Sequence, residues 1–181
     1  MLPLSIASSA FLTTDLQPRF VSPFSDQAEV GAYEAIPGIH QLLRLFRNQI
    51  RPVYHVLRTL DGPLPALWYE FAEETVPLFD PEGHFEFVGP YEWIYRVDGL
   101  GAFNEAFATH LRRYHVDTLV VAGCCVDATL VPVVQGALDA GFRVVVLADA
   151  LTGPSADTAA NLLRELPAEW VDLEEAVALF E

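Results

Sequence analysis

Hydrophobic positions in this chain fall into two patterns, short continuous runs and longer stretches with a helical repeat. The first run, Ala10-Phe11-Leu12-Thr13-Thr14, stops at Asp15 and predicts a strand. A turn-rich stretch through Pro18 and Pro23 follows. Apolar residues at Ile39, Leu42, Leu43 and Phe46 then keep the 3.6-residue period of an amphipathic helix. Pro52 stops that helix and opens a second strand, Val53 to Leu57. Residues 61–92 carry Pro63, Pro65, Pro77, Pro81 and Pro90, which break any long element, and a stretch of that kind usually carries function or covers a site. Beyond it the pattern predicts a strand Trp93 to Val97 and a helix over 102–114. The most apolar strand comes next, Thr118 to Ala122, closed by Gly123. A helix over 126–140 ends at Gly141, a natural residue for the left-handed turn after a helix. A strand Arg143 to Ala148 ends at Asp149, a helix is expected near 156–165, and Trp170 to Leu173 reads as a last strand.

Valine- and leucine-rich runs separated by helices imply a parallel sheet covered on both faces. The predicted fold is three-layer α/β/α with a mostly parallel sheet of about six strands. Ligands of such sheets bind beyond the carboxyl ends of the strands, which points to Asp15, to Gly123 through Thr129, and to Asp149. The 181 residues are read as one domain over 1–181, with 1–9 an N-terminal extension, and the 52% apolar content is ample for its core.

Charge narrows the chemistry. The chain has 25 acidic residues against 10 basic ones, a formal net charge of −15. That balance argues against nucleic-acid or anionic-membrane partners. All the basic residues are arginine, so a Schiff base, a P-loop lysine or a lysine beside a thiolate is excluded. The two cysteines, Cys124 and Cys125, are adjacent, a spacing that disulfide geometry fits poorly. Met1 to Ala10 lacks the pattern of a secretory signal and no run is long enough for a membrane span, so a cytoplasmic setting is expected.

Several segments share an order and a spacing: Thr14-Asp15-Leu16-Gln17-Pro18-Arg19-Phe20, then Pro90 to Val97 with Gly101-Ala102-Phe103 behind it. Asp117 to Gly123 follows, running into Val126-Asp127-Ala128-Thr129 and out through Gly141-Phe142-Arg143-Val144. Together these resemble the isochorismatase-like family, the cysteine hydrolase superfamily, over about residues 10–175. The resemblance implies an isochorismatase-like α/β fold and an Asp–Lys–Cys triad in members that hydrolyse amides. Asp15 with Gln17 matches the Asp-x-Gln box. The lysine position falls on Val97, and the cysteine position, six residues after the strand-ending glycine, falls on Thr129.

Two of three catalytic positions are therefore substituted. A thiolate is a nucleophile at neutral pH, whereas a threonine hydroxyl is a far weaker acid and needs a base better matched than an ordinary aspartate. Asp15, at a strand end facing a helix start, fits a general acid or base, or else a residue that ties loop amides. Binding candidates are Gln17, Gly123, Cys125 and Tyr95, with Cys125 placed where the resemblance puts backbone beside an oxyanion site. Arg96 adjoins the vacant lysine position but alternation along a strand turns it to the opposite face, and the same rule makes Asp98 a poor substitute. The resemblance also implies, for nicotinamidase-type members, a metal near the second strand. Here His55 and Asp61 lack a second nearby histidine and His84 lies well downstream, so neither metal nor cofactor is expected. His40, His110 and His115 lie on helical patterns and read as surface or packing residues, while Trp68, Tyr69, Phe71, Tyr91, Trp93 and Tyr95 gather around the irregular region.

Two readings stay open at this point. One is a non-catalytic or strongly diverged member that binds a small molecule and assembles as a homo-oligomer, as relatives commonly do. The other is a hydrolase acting on a small amide or vinyl ether with Asp15 as general acid/base and no cysteine nucleophile. A relocated nucleophile at Cys125 is a lesser variant.

Overall fold

A computed structural model describes residues 4–58, 69–71, 92–97, 103–152, 161 and 163–180. Among them, β1 (Ser9–Thr14), β2 (Val53–Arg58), β3 (Tyr69–Phe71), β4 (Trp93–Val97), β5 (Thr118–Gly123), β6 (Arg143–Leu151) and β7 (Glu169–Val171) form one sheet. Its order is β3-β4-β2-β1-β5-β6-β7, and every neighbouring pair is parallel except β3 with β4. The chain leaves β1 toward β2 and β4, then returns to the other side of β1 as β5. The carboxyl ends of β1 and β5 therefore flank the point where strand order reverses, the place where open α/β sheets bind ligands.

Helices cover both faces: α1 (Pro18–Val21), α2 (Ala32–Asn48), α3 (Glu105–Arg113), α4 (Val131–Asp139) and α5 (Leu173–Phe180). Side chains alternate across each strand, so the core divides in two. One half gathers Leu12, Tyr54, Val56, Tyr95, Val97 and Val121 against Phe107 and Leu111 of α3 and Val133 and Val134 of α4. The other gathers Phe11, Val53, Val120 and Val145 against Ile39, Leu42, Leu43 and Phe46 of α2, with Phe180 of α5. Phe46 is inaccessible to solvent and meets the rings of Phe11 at 5.5 Å and Phe180 at 5.6 Å, burial that contributes roughly 2–3 kcal/mol. α3 starts where Asn104 accepts the Phe107 N–H at 2.9 Å and ends among Arg112 and Arg113, complementing the helix dipole.

The sheet and its helical layers agree with the hydrophobic pattern, and several boundaries differ. α2 begins at Ala32, well ahead of the periodic segment, and carries Pro37 in its second turn, where the missing N–H leaves one intrahelical hydrogen bond unmade. The helix expected over 126–140 opens as a wider π-type turn, Val126–Leu130, before α4. β6 continues to Leu151, so Asp149 is not a strand-end residue. Its carboxylate accepts the Leu173 N–H at 3.0 Å and caps the start of α5. Leu173 itself starts that helix rather than ending a strand, with Glu174 and Glu175 in the first turn and Asp172 accepting the Glu175 N–H at 2.8 Å. The helix expected near 156–165 lies largely outside the described residues, as do Asp61, Trp68, His84, Tyr91, Asp98 and Gly101. Among the described residues no helix is long and apolar enough to cross a membrane.

Candidate active site

The site is built by three strand ends. At the end of β1 the chain turns at Asp15, whose φ of +49° lies in the left-handed region that aspartate tolerates better than most residues. Thr14, just before it, is the register partner of Gly123 on β5. Gly123 has φ of +136°, and a Cβ there would lie 2.2 Å from the Thr14 carbonyl oxygen, so only glycine lets the two strands close at this point. The chain then passes Cys124, whose N–H donates to the Thr14 carbonyl at 2.9 Å, and turns at Cys125, also left-handed at φ of +53°. The Cys125 carbonyl accepts the N–H of Thr129 at 2.8 Å, which fixes the turn that aims Thr129 back at β1.

Asp15 and Thr129 meet there. The Thr129 hydroxyl donates to Asp15 Oδ2 at 2.5 Å, and the Arg58 backbone N–H donates to Oδ1 at 2.8 Å. Neither Asp15 nor Thr129 is accessible to solvent. Burial pushes the Asp15 carboxyl above its ordinary range, against the opposing pull of the Thr129 hydroxyl and the Arg58 charge. The carboxylate thus acts as a bracket tying β1 to β2 and to the turn after β5.

Arg58, the last residue of β2, supplies the positive charge. Its Nε stands 3.9 Å from Asp15 Oδ2, its Nη2 donates to Cys125 Sγ at 3.1 Å, and its guanidinium lies 4.9 Å from the Phe20 ring centroid. Asp15 is therefore not a solitary carboxylate. Cys125 is buried, and burial together with Asp15 and Glu29 pushes its thiol up, despite the guanidinium on the sulfur. Burial likewise pushes the Cys124 thiol up to about 12, and both cysteines are free.

Glu29 brings a second carboxylate. It comes from the segment between α1 and α2, where its own N–H donates to the Phe20 carbonyl at 2.8 Å. Its Oε2 accepts the Cys125 N–H at 2.9 Å and the Thr152 hydroxyl at 3.2 Å. Burial raises its pKa, with the Asp15 charge a lesser contribution in the same direction. Beside it opens a cavity of about 620 Å³, lined among others by Phe20, Asp26, Glu29, Arg58, Cys125 and Asp127. That is a ligand-sized volume.

The remaining sequence candidates sit elsewhere. Gln17 is buried and its side-chain amide donates to the Arg58 carbonyl at 3.3 Å, holding the end of β2. Val97 is 1% exposed in the apolar core beneath α3, and Tyr95 stacks on Phe107 with ring centroids 4.4 Å apart in that same half of the core. His55 is fully buried on the α2 side of the sheet. Its Nδ1 meets the Thr13 hydroxyl at 2.8 Å and its Nε2 meets Glu92 at 2.6 Å, while Glu92 also pairs with Arg47. Both ring nitrogens are thus committed, which does not fit a metal ligand. Among the described residues no group of three or more His, Cys, Asp and Glu side chains could hold a metal ion. Two site residues escaped the sequence reading. Arg58 had a signal, a lone charge closing the apolar run Val53–Leu57, whereas Glu29 sits in a turn-rich stretch with no distinguishing pattern.

Comparison with known proteins agrees with this fold. Residues 9–175 match the Isochorismatase domain. A cysteine hydrolase from Pseudomonas syringae pv. phaseolicola 1448A is similar in structure at 17% identity and a TM-score of 0.80, over 99% of this chain and 95% of that one. An isochorismatase-like hydrolase from Alkaliphilus metalliredigens is similar at 15% identity and a TM-score of 0.77, over 96% and 99%. The N-carbamoylsarcosine amidase from Thermoplasma acidophilum is similar at 17% identity and a TM-score of 0.73, over 92% and 97%. No curated protein matches the chain significantly. At such identities the solved structures speak for the fold, and the match over nearly the whole chain decides the family: this protein belongs to the isochorismatase family.

Proposed function

We propose that this protein is a family member without hydrolysis of the cysteine type, which binds a small molecule in the cavity beside Arg58 and Cys125. The observation that carries this reading is the contact between Thr129 and Asp15. The hydroxyl stands at the position the family resemblance gives to a thiol, and it is already spent as a donor to the carboxylate. Asp15 has its other oxygen on the Arg58 N–H and no surface open to a substrate. A general acid or base must reach the proton it moves, and this carboxyl does not border the cavity's lining. Cys125 does border it, but a thiol held protonated between two carboxylates is a poor nucleophile.

The cavity supports binding: its volume suits a small organic molecule and its wall mixes an aromatic ring, a thiol and charged groups. The protein also assembles as a homo-oligomer on this reading, supported by exposed large apolar residues such as Phe24, and Val30 in the cavity wall. Ligand-observed NMR against a fragment set, with Arg58→Met as control, tests the binding function. Fragments that lose saturation transfer in the variant support it, and a set without binders would overturn it. Light scattering at the mass of a single 20.0 kDa chain would refute the assembly.

A further inference from the structure

The ligand's charge can be argued from the wall of the cavity, an inference that rests on the binding function proposed above. Two donors at the end of the sheet, the Cys125 N–H and the Thr152 hydroxyl, would by themselves attract an anion. The chain's own Glu29 already occupies both through Oε2. What the cavity meets at that point is therefore a carboxylate in place of a pair of donors. Asp26 and Asp127 add two more carboxylates to the lining, against the single guanidinium of Arg58 among the described residues. That guanidinium is itself matched by Asp15 at 3.9 Å and directed at the Cys125 sulfur. The chain as a whole carries a net charge of −15, so the field at the cavity mouth draws cations in and turns anions away.

We propose that the cavity takes a small organic cation, an ammonium or guanidinium on an apolar body, with Glu29 as its counter-ion and the residue that sets the preference for positive charge. The apolar body has Phe20, Ala28 and Ala128 to pack against. Glu29→Gln keeps the side chain's shape and an oxygen for Cys125 N–H and Thr152, and removes only the charge.

Calorimetry at about pH 8, where an ordinary carboxylate is ionised, tests this with three matched probes: 2-phenylethylammonium, 3-phenylpropionate and neutral 3-phenylpropionamide. The expected result is ammonium binding about tenfold or more tighter than the carboxylate probe, with Glu29→Gln erasing that preference. Thr152→Val, which leaves the charge in place, keeps the preference. Binding of the carboxylate or the amide as tight as that of the ammonium would overturn the cation assignment while leaving a binding cavity in place. An ammonium preference unchanged in Glu29→Gln would remove Glu29 from its role and with it the proposal. Failure of all three probes would overturn the assignment and the binding function together. The wild-type comparison reads out even if a variant folds poorly.

Discussion

Arg58 and Val97 are register partners, the last residue of β2 lying beside the last residue of β4. The position that the family resemblance gives to a lysine is an isopropyl group in the core, and the cation of the site stands on the neighbouring strand, next to the strand that ends at Asp15. A guanidinium there does not simply replace an ammonium. It is planar and spreads its contacts over Asp15, Cys125 and the Phe20 face. Val97→Lys should therefore destabilise the fold by about 3 kcal/mol or more, because it buries an unpaired ammonium among Tyr95 and Phe107. Arg58→Met should lose about 1–3 kcal/mol, less than a fully buried ion pair, since the Arg58 side chain is 18% exposed. Urea denaturation of both variants measures these losses, and a Val97→Lys protein as stable as wild type would contradict the placement.

The bracket role of Asp15 predicts an asymmetry at Thr129. Thr129→Val leaves Oδ2 without its hydroxyl donor in a site closed to water and should cost about 1–3 kcal/mol. Thr129→Ser keeps the donor and should lose less than half as much. Equal losses in denaturant midpoints would mean that the methyl group, rather than the hydrogen bond, matters.

Both thiols should be slow to react in the folded protein. Cys124 and Cys125 are buried and held protonated, so iodoacetamide at neutral pH should label them only as fast as the structure opens. Asp15→Asn, which removes a negative charge from beside Cys125, should raise labelling of Cys125 more than that of Cys124, on which the same charge acts less. Peptide mass spectrometry over a time course distinguishes the two, and rapid labelling of native Cys125 would contradict the electrostatics described above.

The network of Thr13, His55, Glu92 and Arg47 predicts a pH dependence of stability. Burial holds the His55 pKa below its ordinary value, more strongly than Glu92 raises it. The unfolded chain thus takes up a proton near pH 6.5 that the folded one refuses, and stability present above that pH is lost as the pH falls below it. The loss is about 1.4 kcal/mol per pH unit until the folded imidazole titrates. His55→Gln should flatten this limb between about pH 6.5 and 5.5. Asp15 and Glu29, whose pKa values are raised, push the opposite way and cancel in the comparison of the two proteins. Parallel melting curves in the two proteins would exclude His55 as the source.

The layers were legible because apolar runs such as Leu119-Val120-Val121-Ala122 have few alternatives to a buried parallel strand, and the positions of Asp15 after β1 and Thr129 in the turn after β5 were legible because strand ends can be counted. The last helix is missed because Trp170-Val171 is a strand, and Asp172-Leu173, at the start of that helix, reads as the strand's tail. Glu29 was beyond reach for a different reason. Its role depends on meeting Cys125 and Thr152 across 96 and 123 residues, a contact made by the sheet's topology and not by local pattern. Arg58 needed the β2–β4 register, which hydrophobic periodicity leaves undefined when both faces of a strand are buried.

The most direct measurement of the central claim is ammonia release from nicotinamide and simple primary amides by wild-type protein, Asp15→Asn and Cys125→Ser. With the Asp15 carboxylate sealed by Thr129 and Arg58 and no ionised thiol beside it, all three should stay at the rate of buffer alone. Saturable release by the wild type that disappears in either variant would show that hydrolytic chemistry survives here.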